Sequence, residues 1–446
     1  MKFSVKNPKK TLHLVSLGCT KNLVDSEIML GKLKDYTITD DASTADVIIV
    51  NTCGFIDSAK QESLNTIFNL HDERKKESVL VMAGCLSQRY QGELQKELPE
   101  IDVFTGVGDY DKIDLLVHEK RSAFTKEVFL ASDENERVIT GSSYHAYVKL
   151  SEGCNQTCSF CAIPSFKGKL HSRTLASLVK EVKALVSKGY VDFSFVSQDS
   201  SSFLRDQNIN NGLELLIEEV EKIEGIKTAR ILYLYPSTTT LSLIDKIADS
   251  KVFVNYFDMP LQHITPSMLK IMKRGKGVEK LNELMNHMRS KPNSFVRTTF
   301  IAGHPGETVE DHEALCKYIK EFKFDRANVF SYSTEEGTVA AQSKEMVEQE
   351  IIDARAEEIG EIIAQTTQES LEVEIGKTFE VYIDGESDEH EYLLSARKTV
   401  WAPDIDGEIY INDNELKEGE QIKFGQIYTV KVTELVGDKL LATVIK

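Results

Sequence analysis

The stretch EGCNQTCSFCAIPSFKG, residues 152–168, places three cysteines within eight positions directly after a predicted strand. Cys154, Cys158 and Cys161 follow the spacing C-x3-C-x2-C. Three thiolates on one short loop can hold three corners of a [4Fe–4S] cube and leave the fourth iron open to a cofactor or substrate. Structural zinc usually takes four protein ligands, and only the more distant His171 could supply a fourth. An iron–sulfur cluster is the favoured interpretation, with zinc and unligated thiols as the alternatives.

Three further cysteines, Cys19, Cys53 and Cys85, lie 34 and 32 residues apart, too far for a local metal loop. Each stands at or just beyond the end of an apolar run, in LVSLGC, IIVNTC and LVMAGC, and each has a glycine neighbour. Because the carboxyl ends of parallel strands meet at one edge of an open α/β sheet, these thiols are expected to lie close together. They could hold a second cluster with an open iron. Three buried, unligated thiols are the alternative.

The sequence around these motifs divides into three predicted domains. Residues 1–135 alternate between strand and helix patterns, which predicts an open parallel α/β sheet. Residues 140–370 continue with six βα units, which predict a partial (β/α)6 TIM-like barrel with its chemistry at the carboxyl ends of the strands. Residues 371–446 change to short strands separated by Gly, Asp and Asn turns, which predict a small all-β, OB-like barrel.

Composition and length exclude several classes of protein. The 446 residues are 41% hydrophobic and 28% charged, as in a globular protein of two to four domains. No apolar run approaches the roughly 20 residues that span a bilayer, and the apolar N-terminal run is too short for a signal peptide. A cytoplasmic enzyme without a membrane partner is expected. Seven cysteines in such a chain argue against a disulfide framework, and the leftover Cys316 is interpreted as a plain buried thiol.

The charge of the chain bears on its partners. The formal net charge is −18, whereas nucleic-acid-binding proteins usually present a basic surface to phosphate. Residues 371–446 contain 17 Asp and Glu against 8 Lys and Arg, a net charge of −9. Such a module repels phosphate and would suit a basic protein surface. An acidic solvated surface without a partner is the alternative.

The C-x3-C-x2-C loop resembles the signature of the radical S-adenosylmethionine superfamily. This resemblance implies that the free iron chelates the methionine moiety, and that one electron cleaves the sulfonium to give methionine and a 5′-deoxyadenosyl radical, which abstracts hydrogen from an inert C–H bond. Phe160 resembles the aromatic residue that packs near the adenine, with ordinary loop packing as the alternative. Gln198, Asp199, Gln262 and Arg297 stand at predicted carboxyl ends of barrel strands, where they would bind the cofactor or merely close the barrel.

From Leu14 to the C-terminus the chain resembles the methylthiotransferase family, which joins a cluster domain, a radical barrel and a β-barrel called the TRAM domain. Within that family, the likeness is to members that modify an aspartate of a ribosomal protein. The segments that carry it are SLGCTKNLVDSE (16–27), NTCGFIDSAKQES (51–63), GCLSQRY (84–90), VKLSEGCNQTCSFCAIPSFKGK (148–169), LYLYPS (232–237), DMPLQH (258–263) and FSYSTEEGT (330–338). The chain departs at Lys167-Gly168, where Arg-Gly is usual, and at His304, within a usual Gly-Phe-Pro-Gly run.

The resemblance also implies a division of labour between two [4Fe–4S] clusters. The Cys154/Cys158/Cys161 cluster would make the radical and the Cys19/Cys53/Cys85 cluster would present sulfur, with a second S-adenosylmethionine as methyl donor. The implied substrate is the β-carbon of an aspartate in small-subunit ribosomal protein S-twelve, bound through the acidic TRAM domain. A flavodoxin or ferredoxin would supply electrons. The alternatives are a transfer-RNA adenosine methylthiotransferase such as MiaB, a non-catalytic iron–sulfur scaffold and a zinc-bound structural protein.

Overall fold

The N-terminal unit is a parallel sheet of five strands with helices on its faces. The computed structural model describes residues 9–275, 277–417 and 419–445. The strands of this unit are β1 (Thr11–Ser16), β2 (Thr37–Ile38), β3 (Val47–Thr52), β4 (Val79–Gly84) and β5 (Val103–Phe104). Its helices are α1 (Thr20–Lys32), α2 (Asp57–Glu73), α3 (Cys85–Arg89), α4 (Gln91–Glu97) and α5 (Ile113–Glu119).

The strand order of this sheet is β2-β1-β3-β4-β5, and all its pairs are parallel. Every residue of β3 and β4 is buried, as expected for apolar strands covered by helices on both faces. The order reverses between β1 and β3, so the connections after these two strands run to opposite faces. A crevice therefore opens at their carboxyl ends, where sheets of this kind bind ligands.

The middle unit is built from parallel strands with intervening helices. Its strands are β6 (His145–Lys149), β7 (Ser151–Glu152), β8 (His171–Ser172), β9 (Asp192–Val196), β10 (Thr228–Ile231), β11 (Tyr256–Asp258), β12 (Phe295–Ala302) and β13 (Arg326–Ser331). Its helices are α6 (Ile163–Lys167), α7 (Leu175–Ser187), α8 (Gly212–Val220), α9 (Leu241–Ala248), α10 (Pro266–Ile271), α11 (Val278–Arg289), α12 (Val309–Phe322) and α13 (Gln349–Glu372).

Six of these strands form an open barrel, and the predicted partial (β/α)6 architecture is confirmed. Strands β6, β9 and β10 pair in that order, as do β11, β12 and β13, and a parallel bridge from Ala229 to Phe253 joins the two groups. Strands β6 and β13 are the outer strands. The short antiparallel pair of β7 and β8 brackets the loop that carries the second cysteine triplet.

The C-terminal unit is a closed five-stranded barrel, as the sequence predicted. Its strands are β14 (Thr378–Glu386), β15 (Leu394–Lys398), β16 (Ile409–Asn414), β17 (Ile427–Val436) and β18 (Lys439–Val444). They close in the order β14-β15-β16-β18-β17, with β16 and β18 parallel and the other pairs antiparallel. This is the strand arrangement of a Greek-key OB-like barrel.

The C-terminal barrel covers the amino end of the open barrel with the segment between β15 and β16. Trp401 is buried and its ring lies 6.4 Å from that of Phe295. The fully buried carboxylate of Asp406 lies 3.3 Å from the guanidinium of Arg297 on β12. Beside this segment, Asp192 at the start of β9 accepts from Arg397 of the C-terminal barrel at 2.6 Å. The segment 399–406, which we call the plug, therefore fills the amino end of the open barrel.

The predicted domain limits of 1–135, 140–370 and 371–446 stay predictions. Residues 1–8, 276, 418 and 446 within those ranges lie outside the described residues. Among the described residues, no helix combines the length and the apolar character needed to cross a bilayer.

Candidate active site

All six cysteines of the two triplets line one cavity of about 510 Å³. The cavity lies between the carboxyl edge of the N-terminal sheet and the mouth of the barrel. Thiols that are up to 142 positions apart in the sequence, such as Cys19 and Cys161, therefore open onto the same space. We call Cys19, Cys53 and Cys85 the dispersed triplet, and Cys154, Cys158 and Cys161 the local triplet.

The dispersed triplet is assembled by three strand ends. Cys19 precedes α1, Cys53 follows β3 and Cys85 begins α3 directly after β4. Gly18 has φ +84°, and a Cβ atom there would lie 2.8 Å from the sulfur of Cys53. Only glycine leaves room for the two strand ends to approach in this way.

A buried amide, that of Asn22 on α1, ties these strand ends together. Its Nδ2 donates to the carbonyl oxygens of Leu17 and Thr52, each at 3.1 Å, and its Oδ1 lies 3.7 Å from the sulfur of Cys85. The backbone N–H of Cys53 donates to Ser63 Oγ at 3.1 Å. Sequence reasoning did not single out Asn22, although it lies in the SLGCTKN segment that carried the family resemblance.

The local triplet is held by its own loop. The backbone N–H of Cys154 donates to Gly168 O at 3.1 Å, which closes the loop at its base. A Cβ atom at Gly153, which has φ +74°, would lie 2.2 Å from Lys169 O, so this closure also requires glycine. The N–H of Gln156 donates to the sulfur of Cys154 at 3.4 Å.

Two side chains from distant segments approach Cys158. Tyr235 Oη and Arg274 Nη1 each lie 3.4 Å from its sulfur, and the Arg274 guanidinium stacks on the Tyr235 ring at 4.2 Å. Arg274 is buried, so its positive charge acts on the local triplet with little screening by water. Sequence reasoning missed both residues. The only available signal was that LYLYPS, which contains Tyr235, matched a family motif.

Burial makes four of the six thiols weaker acids than an ordinary cysteine. Loss of hydration raises the pKa of Cys53 to about 11 and the pKa values of Cys85, Cys154 and Cys161 to about 12. At neutral pH these four thiols keep their protons in the absence of a cation. Binding of iron at the triplets would release those protons, as for other metal sites built from cysteine.

The spacing of the sulfur atoms argues against a single zinc ion. With Zn–S bonds of about 2.3 Å, two sulfurs on one zinc ion lie no more than about 4.6 Å apart. Across residues 9–275, 277–417 and 419–445, neither triplet brings all its sulfurs within 4.8 Å of one another. His171, the fourth ligand considered for zinc, is exposed on β8. Three cysteines around a shared cavity fit a larger cluster that leaves one iron open.

Four of the five predicted cofactor-binding residues line the cavity, but two of these four already have partners. Phe160, Gln198, Gln262 and Arg297 stand on its wall. Gln198 donates to Glu152, and Arg297 pairs with Asp258 at 3.0 Å as well as with the plug. Their predicted contact with the cofactor stays a prediction.

Gln262 and Asp199 each have a structural feature that the sequence did not predict. Gln262 adopts φ +69°, a backbone conformation unusual for a residue other than glycine. Asp199 is absent from the lining of the cavity as the structure describes it, and its carboxylate accepts from Gln156 at 2.7 Å and from Ser202 at 2.6 Å. Asp199 therefore supports the local triplet's loop from behind.

A buried cluster of four charges lies beside both triplets. Lys149 Nζ bonds to Asp25 and, at 2.8 Å, to Glu152. Lys167, which also lines the cavity, lies 3.3 Å from Glu152 and 3.6 Å from Asp25. Burial opposes the charge on Lys167, but its anionic neighbours outweigh that penalty and raise its pKa. Two cations and two anions thus join α1 of the N-terminal unit to β6 and the local triplet's loop.

Comparison with family models divides the chain into three matched regions. Residues 11–106 match the model described as "Uncharacterized protein family UPF0004". Residues 148–319 match the radical SAM superfamily, and residues 375–445 match the TRAM domain. Between them, these regions contain all six triplet cysteines.

Curated relatives resemble the chain over its whole length. The ribosomal protein uS12 methylthiotransferase RimO of Aliarcobacter butzleri is 86% identical over 446 residues, which covers 100% of both chains. The RimO of Sulfurovum sp. is 64% identical over 438 residues, covering 98% of this chain and 99% of the relative. Among solved structures, the radical S-adenosylmethionine methyltransferase TsrM from Kitasatospora setae aligns with a TM-score of 0.52 at 15% identity. It covers 72% of this chain and 73% of TsrM, which indicates a shared fold.

Proposed function

Because the chain belongs to the family of ribosomal protein uS12 methylthiotransferases called RimO, we propose that the reaction on uS12 takes place in this cavity. The reaction would use two [4Fe–4S] clusters, one bound by each triplet. The enzyme is a transferase of the radical S-adenosylmethionine type. The observation that carries the proposal is that two independent sets of three cysteines open onto one cavity. The proposed target within uS12 is the β-carbon of an aspartate.

When bound, the clusters and S-adenosylmethionine would supply a carbon radical and the sulfur that it receives. The local triplet would hold the cluster that binds S-adenosylmethionine, and the dispersed triplet would hold the second cluster. Phe160, Gln198, Gln262 and Arg297 are proposed to line the cofactor on the barrel side, with the polar groups fixing its orientation.

The remaining wall of the cavity serves the same chemistry. Phe55, Ile56, Ile163 and Phe166 line it with apolar surface, which excludes water from the reacting atoms. Arg274 places a positive charge beside the local triplet, where it would stabilise a negatively charged cluster. The four buried charges of Asp25, Lys149, Glu152 and Lys167 hold the two triplets in a fixed relation, which transfer between two centres requires.

The transfer-RNA alternative is not favoured. Relatives that cover 97–100% of the chain at 54–86% identity carry the name of the uS12 enzyme. The C-terminal segment also has a net charge of −9, which opposes phosphate. We propose that this acidic barrel docks the basic ribosomal protein, that a flavodoxin or ferredoxin supplies electrons, and that the enzyme works in the cytoplasm.

The substrate is tested by mass spectrometry of uS12 and of bulk transfer RNA from cells that lack the chain. We expect the uS12 peptide that contains the target aspartate to lose the methylthio group while transfer RNA is unchanged. Loss of a methylthio group from RNA, with uS12 still modified, would contradict the proposed substrate.

The two clusters are tested by iron content. Reconstituted wild-type protein should hold about eight irons per chain, since each [4Fe–4S] cluster contributes four. A triple variant Cys19→Ala, Cys53→Ala, Cys85→Ala should hold about four irons and still form 5′-deoxyadenosine, but should not modify uS12. Wild-type protein that is fully active with only about four irons would exclude the second cluster.

A further inference from the structure

A third group of metal-ligating side chains lies outside the cavity, on the outer surface of the barrel. His312 and Cys316 of α12 and Glu358 of α13 bring one nitrogen, one sulfur and one oxygen atom within 4.8 Å of one another. Cys316 and Glu358 also line a surface recess of about 470 Å³. The recess therefore brings solvent to two of the three residues, Cys316 and Glu358.

Helix geometry explains why two of these residues point the same way. A capping box of Thr308 and Asp311 fixes the start of α12. His312 and Cys316 lie one turn apart on that helix and are both buried. Residues four apart share a helix face, so both side chains point toward α13.

The distances suit a tetrahedral ion with one nitrogen and one sulfur ligand. With Zn–N near 2.0 Å and Zn–S near 2.3 Å, a tetrahedral angle places the two ligand atoms about 3.5 Å apart. His312 Nε2 and Cys316 Sγ are 3.6 Å apart. Glu358 Oε2 lies 2.8 Å from the same nitrogen and would have to withdraw by roughly 0.5 Å to share an ion with it. Its side chain is 57% exposed, so it has room to do so.

The other nitrogen of His312 supports this arrangement. Nδ1 faces Oε1 of Glu307 at 3.9 Å. Glu307 is fixed, because it accepts from the N–H of Gly303 at 2.7 Å and pairs with Arg355 at 3.1 Å. With its proton on Nε2, His312 donates to Glu358 at 2.8 Å. A metal ion would displace that proton, and the ring would then carry its proton on Nδ1, on the side of Glu307. Histidines that bind metals are commonly oriented by a carboxylate in this way.

We propose that His312, Cys316 and Glu358 bind a divalent metal ion of the zinc class, separate from the iron–sulfur clusters and with a fourth position open to solvent. A mixed nitrogen, sulfur and oxygen donor set is typical of zinc. The ion would fasten α12 to α13, the helix that leads into the C-terminal barrel. The sequence indicated only a plain buried thiol at Cys316, because its partners are a helical turn and a whole helix away.

The site is connected to the local triplet by protein contacts. Glu307, the carboxylate behind His312, closes the GHPGE segment after β12. In the same segment, His304 Nε2 lies 3.1 Å from Ser159 Oγ, between two of the cluster cysteines. A metal ion at His312 would therefore brace the segment that supports the cluster loop.

The test is equilibrium dialysis of the full-length protein, with its clusters reconstituted, against buffered zinc, followed by measurement of zinc and iron. We expect one zinc ion per wild-type chain, in addition to the cluster iron. His312→Asn, Cys316→Ser and Glu358→Gln should each weaken zinc binding by more than about tenfold, and Glu307→Gln by about tenfold. Iron content, measured in the same samples, should not change.

Glu357→Gln is the matched control, because it removes an exposed carboxylate adjacent to Glu358 on the same helix. It should bind zinc as the wild-type protein does. In cobalt-substituted protein, a thiolate-to-metal absorption band should be present in the wild type and in Glu357→Gln, and lost in Cys316→Ser. The proposal is overturned if the wild type binds no zinc at micromolar concentration. It is also overturned if zinc binding is unchanged in both Cys316→Ser and Glu358→Gln, since zinc would then occupy other residues.

Discussion

The two cysteine triplets face the same cavity, but they are built in opposite ways. The three cysteines of the local triplet lie within eight residues, on a loop whose own backbone closes it from Cys154 to Gly168. The dispersed triplet depends on the ends of three strands and on the close approach that Gly18 permits. The local triplet is determined by a short sequence motif, and the dispersed triplet by the strand order of the sheet. The dispersed triplet should therefore be more sensitive to changes in the sheet that leave every ligand in place.

The largest expected effect is that of Gly18→Val, which should remove one cluster and spare the other. A side chain at φ +84° and 2.8 Å from the sulfur of Cys53 forces that cysteine away from its partners. We expect iron to fall from about eight to about four per chain, uS12 modification to be lost and 5′-deoxyadenosine formation to continue. Gly92→Val is the control, because a Cβ at Gly92 meets nothing within 4 Å. Full iron content in Gly18→Val would refute the proposed dependence on topology.

Lys149→Met should lower the unfolding free energy by weakening the buried charge cluster that joins the elements of the two triplets. It leaves Asp25 and Glu152 buried with Lys167 as their remaining cation. Breaking a buried ion cluster by removing one partner costs about 3–5 kcal/mol of unfolding free energy, which denaturant titration can measure. Lys34→Met, in an exposed pair with Glu136, should cause no measurable change. Equal stability of the two variants would mean that the buried charges do not hold the units together.

Arg274→Met should act on the local triplet alone. Its guanidinium lies 3.4 Å from the sulfur of Cys158, and loss of a nearby positive charge makes a cluster harder to reduce. A fall of about 60 mV in reduction potential would weaken one-electron reduction tenfold, so we expect 5′-deoxyadenosine formation to slow by about that factor. Potentiometry of each cluster, isolated by removing the other triplet, checks this. A change in reduction potential confined to the cluster of the dispersed triplet would contradict this prediction.

The smallest effect concerns the junction with the C-terminal barrel, away from both triplets. Burial alone would raise the pKa of Asp192, but Arg230 and Arg397 outweigh it and hold that pKa well below its usual value. A carboxylate of this kind stabilises the fold fully above its unfolded pKa near 3.9, and the contribution declines as pH falls toward the lowered folded value. We expect the unfolding free energy to drop by about 1–2 kcal/mol between pH 5 and pH 3.

Asp192→Asn tests whether Asp192 causes the loss of unfolding free energy at low pH. Its unfolding free energy should be lower at pH 5 and should change less between pH 5 and pH 3. An unchanged pH slope would place the sensitivity on other carboxylates.

The sequence predicted what depends on a local pattern or on strand alternation. The C-x3-C-x2-C spacing identified one triplet, and the position of Cys19, Cys53 and Cys85 at strand ends predicted their convergence, because parallel strands align their carboxyl ends. For the C-terminal unit, the short strands and turns predicted only the class of fold, a small all-β barrel, and not the order of its strands. What held these triplets in place was harder to predict.

The missed residues act across long separations in sequence. Arg274 reaches Cys158 over 116 positions, and Lys149 reaches Asp25 over 124. A lone arginine or lysine is normally interpreted as an exposed charge, since burial requires a partner that the local sequence does not reveal. The partners of Arg297 could not be predicted either, because Asp406 comes from another domain and enters the barrel from its amino end.

The plug makes the C-terminal barrel a structural floor of the reaction chamber as well as a candidate docking module. Asp406 lies against Arg297, and Arg297 forms part of the chamber wall. Truncation of the chain before β14 would leave that arginine without one counter-ion and would admit solvent from underneath. Reductants and oxygen that enter with this solvent would then compete with the target for the radical. An inactive truncation would therefore not prove that the removed domain recognises the ribosomal protein, and surface charge reversals that leave the plug intact are the cleaner way to map recognition.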